Sequence, residues 1–170
     1  MKSLTVSICI VGMIGTIIGI TAWSATTGTI SATVTARNLS INRTSNGTVA
    51  FGTLDLSATT TTDPASDIPD TETFNNDGSQ AKFNIETANT TGGATPWTPA
   101  GTAASNAYVL SFTTTTVVTW QILQSTSAET ATSTIDAGVS LNIYLRFQAP
   151  SASTEYVQKT VPITVTATAP

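Results

Sequence analysis

The sequence has no histidine, one cysteine, and charges on only 9% of its 170 residues. Each scarcity excludes a class of chemistry. Without histidine, the usual general base, the commonest zinc ligand and the middle member of a Ser-His-Asp triad are missing. The cysteine, Cys9, lies inside an N-terminal apolar run, preceded by Ser7 and Ile8, which is not the small-residue context of a lipoprotein cleavage site. The folded part is therefore expected to have no thiol for catalysis or metal binding, and no disulfide. Six basic residues against ten acidic ones give a net charge of -4 and no cationic footprint for nucleic acid. Carboxylates and hydroxyls remain, so the expectation is a protein that is not an enzyme and carries no catalytic cofactor.

What is present begins with MKSLTVSICIVGMIGTIIGITAWSA: one basic residue, Lys2, an apolar run from Leu4 to Ile20, then small residues. This is the three-part build of a secretory signal peptide. Ala22 and Ser24 stand three and one positions before a cut, which assigns 1–24 to the leader and the rest to the cell surface or the extracellular medium. About 18 apolar residues also suffice to span a bilayer, so an uncleaved anchor is the alternative. Membrane contact is expected only during secretion or through such an anchor.

Beyond the leader, Ser and Thr make up about a third of the chain, a composition that suits pleated strands with hydroxyl-bearing outer faces. Apolar residues recur at period two: Val49 and Phe51; Phe83 and Ile85; Tyr108, Leu110 and Phe112; Val118, Trp120 and Ile122; Leu141, Ile143, Leu145 and Phe147; Val161, Ile163 and Val165. Such alternation marks half-buried antiparallel strands. SNG at 45–47, NNDG at 75–78, TTGG at 90–93 and DAG at 136–138 separate them as turns. The expected fold over 38–170 is all-β, a two-sheet antiparallel sandwich of immunoglobulin-like or jelly-roll type. Two stretches, 57–74 and 86–107, read as long irregular loops, and Pro162 places the last strand at a sheet edge or breaks it.

The first long loop carries acids. Asp63, Asp67, Asp70, Glu72 and Asp77 offer oxygen ligands that suit calcium, although the EF-hand spacing is not met because Thr73 stands at the first ligand position. The other reading is a solvated acidic loop. Four sequons, at Asn38, Asn42, Asn46 and Asn89, are glycosylation candidates in number no greater than chance supplies. Trp97, framed by Pro96 and Pro99, is either a stacking platform for a ligand or a cap on the core. Lys159 shares the parity of Val157 and Val161, yet reads as an ordinary rim lysine.

The segment TTGTISATVTARNLSINRT raises a different question. Ile30, Ala32, Val34 and Ala36 alternate on even numbers, then Leu39 and Ile41 on odd ones, so the chain must bulge or bend at Arg37 and Asn38. Thr29 to Arg43, if extended, spans roughly 50 Å, more than the ~38 Å diameter of a compact domain of this size. Either the segment crosses between its own sheets, or residues 25–37 project and pair with another copy as a donor strand. Tethering favours self-pairing in dilute solution unless geometry forbids it.

TISATVTARNLSI, GTVAFGTLDL, FNNDGSQAKFNIE and LNIYLRFQAPSASTEYVQKTVPITVTA, following a signal peptide in that order, resemble the TasA and camelysin type of fibre-forming matrix protein and archaeal bundling pili of similar fold. The resemblance implies fibres built by donor-strand complementation, with Thr26 to Ala36 as donor and copies of the same chain as partners. Camelysin's metallopeptidase label is not carried over, because no histidine or zinc motif is present. The expected function is a structural subunit of an extracellular filament, pilus or biofilm-matrix fibre. The alternative is a surface adhesin for carbohydrate or protein, anchored by an uncleaved leader.

Overall fold

Two alternating runs, Tyr108-Leu110-Phe112 and Leu141-Ile143-Leu145-Phe147, form the neighbouring strands around which the rest is arranged. The computed structural model describes residues 33–34, 36–62, 68, 70–114, 119–124 and 127–170. The chain divides into two compact units, Met1–Val34 and Thr35–Pro170, and every strand described belongs to the second. In order these are β1 (Ile41–Arg43), β2 (Thr59–Thr61), β3 (Glu72–Asn76), β4 (Ala81–Thr87), β5 (Thr98–Pro99), β6 (Ala107–Thr113), β7 (Gln121–Leu123), β8 (Glu129–Ile135), β9 (Ser140–Gln148) and β10 (Ile163–Thr168).

The strands make two sheets, as the composition predicts. The larger runs β1-β3-β9-β6-β5, with β2 also on β9 and β7 also on β6; the smaller runs β10-β4-β8. All pairings are antiparallel except the two-residue contact of β5 with β6. The alternation explains the core. Tyr108, Leu110, Phe112, Leu123, Ile143, Leu145 and Phe147 from the larger sheet meet Ile85 from the smaller, each at most 5% exposed. A second cluster, Ala81, Phe83 and Ile135, closes the other end beneath Ile41 and Phe74. Each fully buried large side chain contributes about 1.5–3 kcal/mol.

Two turns carry the chain from one sheet to the other, β3 to β4 and β8 to β9, and Asn76 ties them together. It is fully buried. Its side-chain amide donates to the carbonyls of Ser79 and Ile135, both at 2.9 Å, and its side-chain oxygen accepts from Gly78 N–H. Its backbone N–H donates to Val139, and Gly138 N–H donates to its carbonyl. A buried amide with all its groups paired specifies one geometry for both crossovers.

Several expectations need correcting. β2 and β5 lie within the stretches read as irregular, β3 begins in one and runs into the expected NNDG turn, and β8 (ETATSTI) gives no alternating signal because Ala131 and Ile135 are its only apolar residues. β2 and β3 are in fact one interrupted strand. Thr62 stands opposite Leu145, its N–H and hydroxyl both bonded to that residue's backbone, and Glu72 stands opposite Ile143. Ten positions on one side thus match two on β9, so the register shifts by eight residues between Thr62 and Glu72. In β7 the core residue is Leu123, so the face expected inward, Trp120 and Ile122, points outward. Val49 and Phe51 do face the core, but in no strand. Leu39 is 40% exposed rather than buried. Pro162 immediately precedes β10, which lies at the edge of the smaller sheet, as a residue without an N–H requires.

Replacing Asn76 with Ala is expected to cost about 3 kcal/mol, since it orphans buried backbone groups at both crossovers. Urea unfolding should show the midpoint fall with the slope unchanged.

Candidate strand-accepting groove

The groove begins where the chain leaves the larger sheet. β1 pairs with β3 as far as the bond from Thr44 N–H to Thr73 O. Ser45 then caps that edge, its hydroxyl donating to the Glu72 carboxylate and accepting from Thr73 N–H. Gly47, with φ of 73°, turns the chain away. Any larger residue there is strained by its backbone, and its Cβ would push the Arg43 guanidinium aside.

From this turn the chain runs along the open side of the sandwich. Val49, Phe51 and Leu54 pack against the core, and the Phe51 ring stacks on Phe147 with centroids 5.3 Å apart. Residues 49–54 make no backbone hydrogen bond with any described residue. Across the gap lies the outer edge of β10, which is likewise unpaired among the described residues. Its inward residues Ile163, Val165 and Ala167 are only half-buried. Between these two banks is a cavity of about 140 Å³, floored by Ile85, Ile143 and Leu145. Glu72 also reaches it; the residue is 8% exposed, and its Oε1 has no partner. An apolar slot flanked by two lines of unpaired backbone is what an added β-strand requires.

Of the residues expected to donate such a strand, Ile30 and Ala32 lie outside the described residues, and Val34 and Ala36 are exposed and in no strand. Asp63 and Asp67 also lie outside them. Asp70 is half-buried, while Glu72 and Asp77 flank the two ends of β3, roughly 16 Å apart along an extended strand, so these two do not share a cation. Asp77 instead accepts from the Asn75 amide, and no group of three or more acidic, histidine or cysteine side chains converges among the described residues. Asn38, Asn42, Asn46 and Asn89 are all exposed, with the Asn46 side-chain oxygen accepting from Thr48 N–H.

Trp97 is half-buried against the core. Its indole N–H donates to Ser153, its backbone N–H donates to Thr90 Oγ1, and the Lys159 ammonium sits 5.9 Å from the ring centroid. Lys159 is not a rim residue: its side chain is 3% exposed. The buried cation is sustained by the carbonyls of Gly92 and Thr95, at 2.7 and 2.8 Å, and by an ion pair with Glu155. Glu155 in turn accepts from the N–H groups of Ala94 and Thr95. The sequence signal for this cluster was the inward parity of Lys159 together with a carboxylate four residues earlier.

The hydrogen-bonded Lys159 ammonium, followed by the Thr95 and Ala94 amides, holds the Glu155 carboxyl at about 2, below its ordinary 4.5. A depressed carboxyl stabilises the fold above the unfolded value, and that stabilisation is lost as pH falls through the folded one. The Trp97 indole N–H resonance should therefore shift between pH 4.5 and 2. Lys159→Met should move that transition upward, toward 4.5.

Compared with known proteins, the chain matches no protein family, no curated protein and no solved structure.

Proposed function

We propose that the chain is a non-enzymatic structural subunit of an extracellular filament, pilus or matrix fibre, assembling by β-strand donation from its N-terminal segment to the next copy. One observation carries the reading: the open side of the sandwich has an apolar cavity whose two banks, residues 49–54 and β10, have backbone unpaired among the described residues. The alternation of Ile30, Ala32, Val34 and Ala36 supplies a strand whose small and branched side chains suit so narrow a slot. Insertion adds ~1 kcal/mol net per backbone bond and ~1.5–3 kcal/mol for each of Ile30 and Val34 buried. Because donor and acceptor are different segments of the chain, the contact is head-to-tail and repeats as a filament. The leader-like N-terminus supports secretion to the cell surface or beyond. The adhesin alternative draws no support from Trp97, whose ring packs on the core with a lysine beside it.

The test separates donation between copies from self-pairing. In a Cys9→Ser background, one preparation carries Thr33→Cys and another Thr166→Cys, and the mixture is treated with a short bis-maleimide. Strand donation predicts hetero-crosslinked dimers and ladders, with filaments by negative-stain microscopy that disappear when residues 25–36 are deleted. A chain that stays monomeric at high concentration, crosslinking only when both cysteines share one molecule, would refute it.

A further inference from the structure

The outer face of the larger sheet, turned away from the groove, presents a second cavity of about 260 Å³, lined by Thr59, Val109, Ser111, Arg146 and Gln148. The strand register builds it. Thr59, Gln148 and Val109 form one cross-strand row over β2, β9 and β6; Arg146 and Ser111 stand side by side in the next. At its border, Trp120 lies with its ring centroid 5.0 Å from the Arg146 guanidinium carbon.

Two features show that the cavity is not merely a gap. Ser111 is fully buried and lines it, yet its hydroxyl has no hydrogen-bond partner. Buried hydroxyls are almost always paired. The guanidinium of Arg146 makes no ion pair or hydrogen bond with any described residue. A guanidinium lying against an aromatic ring keeps its N–H edges free for a planar, bidentate acceptor.

We propose that this cavity binds a uronic-acid sugar. The carboxylate lies against Arg146, and the ring hydroxyls meet Ser111, Gln148 and Thr59. A single cation matches a single carboxylate, and the neutral donors and acceptors around it suit a polyhydroxylated ring. A peptide acid fits less well, because the strands beneath are already paired with each other and offer no backbone edge to a second chain. The site is independent of strand donation, which uses the opposite face of the sheet.

Sodium D-glucuronate titrated into the purified protein, followed by NMR at the Trp120 indole and the Arg146 side chain, tests the assignment. Saturable shifts with a Kd in the millimolar range are expected, with D-glucose and acetate each binding at least about tenfold more weakly. Arg146→Gln should weaken glucuronate binding about tenfold or more. Ser111→Ala, which removes an orphaned hydroxyl, should weaken binding several-fold while raising Tm, a split that a purely structural serine would not produce. The assignment fails if no saturable shift occurs up to about 100 mM, if glucose or acetate binds as well as glucuronate, or if Ser111→Ala leaves affinity unchanged.

Discussion

The two sheets differ in width, and most of the structure follows from that mismatch. The larger has five ranks of strands side by side, β1, β2 with β3, β9, β6, and β5 with β7; the smaller has three. With ranks ~4.8 Å apart, the outermost strands are ~19 Å apart in one sheet and ~10 Å in the other. Three strands cannot cover five. Residues 49–54 cover part of the remainder through Val49, Phe51 and Leu54, yet a side chain can plug a core without giving its backbone a partner. The groove is the portion left over, and β10 borders it with apolar residues only half removed from water.

No cysteine lies in the described unit, so polar side chains do the fastening. Asn76 locks the end where the chain crosses between sheets twice, and Lys159 with Glu155 gathers the 90–97 loop onto the 153–160 segment. Both are buried groups with several partners each. Such networks are costly when incomplete, which makes them specific as well as stabilising. Glu72 and Ser111 are the two described exceptions, and each lines a cavity.

The strands whose apolar residues alternate over three or more positions were legible in the sequence: β6, β9 and β10 match the expected period, and β4 does so with Phe83 and Ile85. Strands built from threonine were not. β2 is threonine throughout, and in β8 only Ala131 and Ile135 interrupt a run of hydroxyl residues, so hydropathy shows little contrast between faces. Val49 and Phe51 show the opposite failure, since their alternation reports burial and says nothing of whether a neighbouring backbone is present. The parity of Trp120 and Ile122 points to the wrong face because the one decisive core residue of the strand, Leu123, stands at odd parity. Of the binding features, the apolar periodicity of the segment ending at Ala36 is visible in sequence. The slot that would receive it depends on which strands fail to meet, and pattern alone does not encode that.

The interruption between β2 and β3 has an engineering consequence. Thr62 and Glu72 both pair with β9, in registers eight residues apart, so each ladder is set by its own contacts rather than by the number of residues between them. The same position is a natural place to graft a foreign epitope, which the sandwich would display without a change to either ladder.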